Sequence, residues 1–93
     1  MNIQEFETQL KSQGYQVIAS VEQPAGYAMS EHAHAFDACA LITHGDFTIM
    51  VDGHPRHYAA GDVFRLPAGT LHSESAGPQG VKYLAGRRSK EPS

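Results

Sequence analysis

The chain contains a single cysteine and no long apolar run. With Cys39 alone, its 93 residues cannot form an internal disulfide, which excludes the disulfide framework of small secreted domains. No stretch approaches the ~20 consecutive apolar residues that a membrane-spanning helix needs. The N-terminus is acidic and amphipathic and lacks the basic start and apolar run of a signal peptide. We therefore expect a cytoplasmic protein with no membrane partner.

Basic residues are also scarce. The sequence has 7 lysines and arginines against 10 aspartates and glutamates, a formal net charge of −3. Binding to nucleic acid or to an acidic membrane surface calls for a basic patch, so we expect neither partner. The basic run at residues 87–90 lies at the end of the chain, where a solvated tail is typical. We predict such a tail over residues 87–93.

The length corresponds to one domain with a modest core, which begins with a short helix in residues 1–14. Asn2 can cap this helix, and Glu5 stands three residues on, as in a capping box. Gly14 provides the end of the helix. The predicted helix covers residues 3–13, and its apolar stripe consists of Ile3, Phe6 and Leu10.

Residues 15–86 have the character of a β-domain. Seven or eight short apolar or β-branched segments alternate with turn signals every eight to twelve residues, which favours an all-β sandwich or barrel. Asp52-Gly53 is the strongest hairpin signal. Further turns are predicted at Gly45-Asp46, at Gly61-Asp62 and at Gly77-Pro78.

Three histidines form the most informative pattern. His32 and His34 are separated by one residue, so in an extended segment both imidazoles lie on the same face. His72 could reach them from a distant strand. Imidazole suits Zn, Cu, Fe and Ni, and a site with three protein ligands keeps positions open for water or substrate. This pattern predicts a metal-centred pocket.

The residues around these histidines resemble the two motifs of the cupin superfamily. The first family motif is a glycine, five residues, His-x-His, three or four residues, a glutamate, six residues and a glycine. The second is a glycine, five residues, Pro-x-Gly, two residues, a histidine, three residues and an asparagine. The positions that match are Gly26, His32, His34 and Gly45 in the first motif, and Gly61, Pro67, Gly69 and His72 in the second.

The resemblance implies an all-β, double-stranded β-helix (a jelly-roll barrel) with a divalent transition metal, Ni, Fe, Zn or Mn, bound by His32, His34 and His72. It also implies a homodimer and a small-molecule ligand or substrate. The predicted core or pocket-lining residues are Phe36, Ala38, Phe47, Ile49 and Phe64.

Two positions depart from the family pattern. Ala38 occupies the place of the metal-binding glutamate and cannot act as a ligand, and Ala76 replaces the asparagine. A site with three neutral ligands is more positive than one with a glutamate and leaves one more coordination position open. That change either weakens metal binding or allows a substrate to chelate the metal.

Other groups near the motifs are candidates for chemistry. Glu74 follows His72 by two residues, so both face the same side of a regular strand, and we take Glu74 as an acid–base candidate rather than a ligand. Cys39 and Asp37 are one residue out of register and should face away from the pocket. The remaining histidines, His44, His54 and His57, stand beside turns and are expected to be exposed.

Two classes of function remain open from the sequence. A metal held by the three histidines suits an enzyme, as in related dioxygenases, isomerases and decarboxylases. The alternative is a module that binds a small ligand or a metal without catalysis, since fold alone does not decide function.

Overall fold

The computed structural model describes residues 1–89, and it consists of one helix followed by six strands. The elements are α1 (Ile3–Ser12), β1 (Val17–Gln23), β2 (Ala28–His32), β3 (Phe36–Val51), β4 (His54–Ala59), β5 (Val63–Leu66) and β6 (His72–Ser89). All strand pairs are antiparallel. This is the all-β architecture that the sequence predicts, with its short N-terminal helix.

Two long strands, β3 and β6, pair with each other and are shared between two layers. The first half of β3 also pairs with β5, and the second half of β6 also pairs with β1. The second half of β3 pairs with β4, and the first half of β6 pairs with β2. Each long strand therefore contributes to both four-stranded layers of a jelly roll, and the core lies between these layers.

The long strands change direction at irregularities instead of ending in turns. The register of β3 against β6 shifts twice, between Ile42 and His44 and again between Gly45 and Phe47. Turns between separate strands were predicted at Gly45-Asp46 and at Gly77-Pro78, and both predictions are wrong. A bulge lets a strand bend while its ladder of hydrogen bonds continues on either side.

The bend brings two glycines into close contact. Gly45 has a φ of +75° and Gly80 a φ of +77°. A Cβ atom on Gly45 would collide with the carbonyl oxygen of Gly80. The two backbones approach this closely because Gly45 carries no side chain. A Cβ atom on Gly80 would instead collide with the carbonyl oxygen of Gln23.

The hairpin between β3 and β4 forms at the predicted dipeptide. Asp52 has a φ of +53° and Gly53 a φ of +75°, and Val51 pairs with His54 on either side of them. Two consecutive positive φ values match the tight hairpin turn that follows the right-handed twist of the strands.

The helix α1 begins with the predicted capping box. The Asn2 side chain accepts a hydrogen bond from the backbone N–H of Glu5 (2.8 Å), and the Glu5 side chain accepts one from the N–H of Asn2 (3.0 Å). Phe6 and Leu10 are each 1% exposed, but Ile3 is 52% exposed. Of the predicted apolar stripe, Phe6 and Leu10 are therefore buried, whereas Ile3 is exposed and borders a surface depression against the sheet.

Apolar side chains form two clusters on opposite sides of the β3–β6 ladder. The inner cluster lies between the layers and contains Ala40, Ile42, Phe47, Ile49, Phe64, Leu66 and Val81. The outer cluster lies under α1 and contains Phe6, Leu10, Tyr15, Cys39, Leu41 and Leu84. Neighbouring residues of β3 alternate between the clusters, as the period of a strand requires. Burial of Cys39 in the outer cluster raises the pKa of its thiol.

The C-terminal part of the chain differs from the tail predicted over 87–93. The strand β6 continues to Ser89, so Arg87 and Arg88 belong to the sheet and pair with β3. Residues 90–93 lie outside the described part of the chain. Within residues 1–89, no helix is both long and apolar enough to cross a membrane.

The close approach of Gly45 and Gly80 at the bend of β3 and β6 predicts that two glycine substitutions differ in their effect on the free energy of unfolding. Gly53→Ala places a side chain at positive φ in open space and should lower the free energy of unfolding by roughly 1 kcal/mol. Gly45→Ala has the same φ but also collides with Gly80, so we expect a loss of roughly 2–4 kcal/mol. Urea unfolding followed by circular dichroism measures both values. Equal losses would show that the close approach at the bend is unimportant.

Candidate metal centre

Two of the three histidines face each other across a strand pair. His32 is the last residue of β2 and His72 is the first residue of β6, and they are partners in the β2–β6 ladder. Directly opposed residues of an antiparallel pair share one face of the sheet. Their ring centroids are 4.3 Å apart. His72 is 1% exposed.

The third histidine joins them from the segment that follows β2. The centroid of the His34 ring lies 4.9 Å from that of His32 and 5.2 Å from that of His72. One ligand nitrogen from each ring can be chosen so that all three lie within 4.8 Å of one another. The structure thus brings together the three histidines that the sequence predicts as metal ligands.

The Pro-x-Gly turn before His72 is fastened to the segment that carries His34. The N–H of Gly69 donates a hydrogen bond to the carbonyl oxygen of His34 (2.9 Å). The N–H of Ala68 donates to the carboxylate of Asp37 (2.8 Å), which also forms an ion pair of 3.0 Å with Arg88. These bonds tie the two motifs together. Asp37 points away from the histidines, as expected, and its role is to hold this turn.

The hydrogen bonds of two rings determine which nitrogen is available. Nδ1 of His32 lies 2.7 Å from the carbonyl oxygen of Ser30, and Nδ1 of His72 lies 2.9 Å from that of Thr70. A carbonyl oxygen only accepts, so each Nδ1 carries the proton and each Nε2 has a free lone pair. A neutral imidazole with its other nitrogen hydrogen-bonded to a carbonyl is the usual form of a metal-ligating histidine.

Both Nε2 atoms are buried and have no hydrogen-bond partner within the described chain. A buried polar atom without a partner is costly and rare in folded proteins. A metal ion at the point where the rings converge would satisfy both atoms. The donor set therefore fits a divalent transition metal with nitrogen preference.

The surroundings of His34 favour the neutral ring. The pKa of His34 lies below its ordinary value, chiefly because the ring is buried, and the neighbouring His32 and His72 act in the same direction. A neutral ring is required for metal binding, because a protonated imidazole has no lone pair to donate. The ring of Phe36 stacks on that of His34 with 4.8 Å between centroids and 18° between planes, which fixes its orientation.

Glu74 lies beside the histidines, as its spacing from His72 predicts. Its Oε1 atom is 3.8 Å from Nε2 of His32, and it accepts a hydrogen bond of 2.9 Å from the hydroxyl of Tyr27. Burial, the hydrogen bond to Glu74 and the charge of that carboxylate raise the pKa of Tyr27 to about 12. Tyr27 could not be predicted from the sequence, because nothing in the spacing of β2 and β6 indicates which tyrosine faces Glu74.

The other predicted pocket residues occupy different depths. Three of them are buried in the inner cluster: Phe47, Ile49 and Phe64. The ring centroids of Phe47 and Phe64 are 5.8 Å apart. Ala38 packs against the same cluster nearer to Phe36. The remaining histidines, His44, His54 and His57, are exposed.

The surface depression between α1 and the sheet does not coincide with the histidines. A cavity of about 340 Å³ lies between α1 and the sheet, and its lining includes Ile3, Ser20, Val21 and Lys82 but none of the three clustered histidines. The histidine site is accordingly identified by its donor chemistry and not by its volume.

Comparison with known proteins agrees with this architecture. The model of the cupin domain family matches residues 19–85, a range that includes both histidine motifs and most of the two layers. No curated protein sequence matches the chain.

Solved structures with the same fold are numerous. A conserved protein of unknown function from Streptococcus pyogenes is 24% identical with a TM-score of 0.71, and the match covers 81% of this chain and 65% of that one. A cupin superfamily protein from Desulfitobacterium hafniense is 21% identical with a TM-score of 0.66, covering 82% and 81%. The DMSP lyase DddQ from Ruegeria pomeroyi is 25% identical with a TM-score of 0.70, covering 82% and 39%.

The contact between Glu74 and Tyr27 predicts a change in tyrosine ionisation. The charge of Glu74 opposes the phenolate form of both Tyr27 and Tyr83, and burial with this charge raises the pKa of each to about 12. Glu74→Gln removes that charge, so both pKa values should fall toward 10.0. Absorbance near 295 nm in metal-free protein should then show more phenolate at about pH 11. The exposed Glu31→Gln is the matched control, and an unchanged curve for Glu74→Gln would contradict the contact.

Proposed function

This chain belongs to the cupin family, and we propose that it is a metal-dependent enzyme that acts on a small molecule. In this proposal one divalent transition-metal ion is bound by His32, His34 and His72, at the C-terminal end of β2. The similarity to known cupins leaves substrate and reaction open, so the proposal rests on the chemistry of the side chains.

One observation carries the metal site. The buried Nε2 atoms of His32 and His72 have no partner in the described chain, while each Nδ1 is held by a backbone carbonyl. A histidine that only filled the core would be expected to use both nitrogens or to expose one to water. Ni, Fe, Zn and Mn are all compatible with imidazole donors, and geometry and supply choose among them more than ligand number does.

The bound metal would act as a Lewis acid toward an oxygen of the substrate. Three neutral ligands leave further coordination positions open for that substrate. The chain itself supplies what surrounds the metal. Phe36 orients the His34 ring, and the inner cluster excludes water below the site.

The pair of Tyr27 and Glu74 is the acid–base candidate. The pKa of Tyr27, raised to about 12, keeps its hydroxyl protonated at neutral pH, so Tyr27 donates to the Glu74 carboxylate and holds it in place. The same carboxylate lies 3.8 Å from a nitrogen of His32. Glu74 can therefore accept a proton from a molecule that occupies an open position at the metal. This arrangement favours the enzyme over a site that only binds.

The cytoplasmic location and the homodimer predicted from the sequence belong to this proposal. The exposed apolar side chains of Ile3, Met29, Met50 and Leu71 offer surface for an interface between copies, and small domains gain burial when they pair.

Metal content tests the site directly. We expect the protein purified without chelator to hold about one metal ion per chain. His72→Ala should lose most of the metal, since it removes one of three ligands, whereas the exposed His44→Ala should retain it. Elemental analysis measures the content, and circular dichroism checks that each variant is folded. A folded His72→Ala protein with full metal content would overturn the proposed site.

Catalysis is tested separately with the iron-loaded protein. We expect one member of a panel of thiols, diketones and hydroxy acids to stimulate oxygen uptake, and His72→Ala to abolish that uptake. An oxygen electrode measures the rate. Iron-loaded protein that consumes no oxygen with any member would favour the non-catalytic binding module over the oxygen-dependent branch of this proposal.

A further inference from the structure

The position of the family's metal-binding glutamate is occupied by a methyl group, Ala38. In the sheet Ala38 pairs with Arg87 of β6 and with Leu66 of β5. Its side chain packs against the inner cluster, so this position faces the interior between the two layers. The proposed metal therefore receives only neutral ligands from the two motifs.

The residue opposite Ala38 carries a positive charge. Arg87 lies on the same face as Ala38, because directly opposed residues of an antiparallel pair share a face. Its guanidinium carbon lies 4.4 Å from the centroid of the Phe36 ring, and that ring stacks in turn on His34. Arg87 is exposed, and its guanidinium lies over the ring of Phe36, which in turn stacks on the proposed metal ligand His34.

This cation has no carboxylate partner within residues 1–89, where the recorded ion pairs involve other residues. The neighbouring Arg88 differs, because it forms an ion pair with Asp37 on the other face. Glu74 is engaged by the Tyr27 hydroxyl. Arg87 thus keeps its guanidinium donors available for an external anion.

The charge of Arg87 acts on the ring of His34. Burial is the main reason that the pKa of His34 is lowered, and Arg87 contributes in the same direction. A divalent metal beside this cation would give the site a strongly positive potential. Such a potential attracts anions and disfavours amines.

We propose that the ligand of this site is a small carboxylate, with one oxygen at the metal and the carboxylate paired with Arg87. The guanidinium has a planar fork of N–H donors that matches a carboxylate. The external carboxylate would take over the anionic role that Ala38 cannot perform. This inference rests on the proposed metal site, and it names the substrate class of that site.

The experiment uses protein loaded with Co(II), whose visible spectrum reports its ligands, and pyruvate as the probe at constant ionic strength. In the wild type we expect the Co(II) spectrum to change as pyruvate is added, until the site is saturated with pyruvate. Arg87→Gln should raise the pyruvate Kd by about tenfold or more, since it removes a charged hydrogen-bond donor. Arg56→Gln, an equal charge change on the exposed hairpin, should leave the Kd unchanged.

A second variant introduces a carboxylate at the position of Ala38. Ala38→Glu should supply an internal carboxylate opposite Arg87, increase the affinity for Co(II) and abolish the response to pyruvate. Ala38→Gln has the same size without the charge and should leave a pyruvate response. The pair separates the effect of charge from the effect of volume.

The outcomes distinguish this inference from the proposed function. Wild-type protein that binds no Co(II) would overturn both. Bound Co(II) with a spectrum that pyruvate leaves unchanged would overturn the carboxylate ligand alone. So would an Arg87→Gln protein that binds Co(II) and also binds pyruvate as tightly as the wild type.

Discussion

The simultaneous pairing of β6 with β2 and β3 is the constraint on which the rest of the structure depends. At its start, β6 places His72 opposite His32. Further along, it places Arg87 opposite Ala38. His72 is buried at the candidate site, whereas the side chain of Arg87 is exposed. A shift of one residue in this register would turn each of these side chains to the opposite face of its layer.

The fold concentrates polar atoms where a core would ordinarily be apolar. Two imidazole nitrogens without partners and a carboxylate held by a tyrosine lie above the aromatic inner cluster. Desolvation of such groups is unfavourable unless something satisfies them. The proposed metal ion would satisfy the two nitrogens, and the proposed carboxylate ligand would pair with Arg87. In that proposal the ligand supplies the negative charge that Ala38 does not.

Much of the fold and of the candidate site could be predicted from the sequence. The features that could not be predicted have one cause in common, which is that they depend on contacts between distant parts of the chain. The capping box, the Asp52-Gly53 turn and the three histidines follow from short-range spacing, so local geometry was enough. The turn predicted at Gly77-Pro78 was wrong because a glycine-proline pair marks a bend equally well, and only the ladder shows that the strand continues. Tyr27 was missed because its partner is distant in the chain. The prediction of a solvated tail was wrong for Arg87, because this residue pairs with Ala38 of β3, and the sequence around Arg87 does not reveal that partner.

The sequence by itself determined the family, the all-β class and the identity of three nitrogen donors, because motif spacing and strand period are properties of neighbouring residues. Only the tertiary structure decided which nitrogen of each of two rings is free, that the Tyr27 hydroxyl holds Glu74, and that Arg87 pairs with Ala38 and lies over the Phe36 ring. Those features depend on hydrogen bonds and register between strands far apart in the chain, where the pattern of any one segment carries no information.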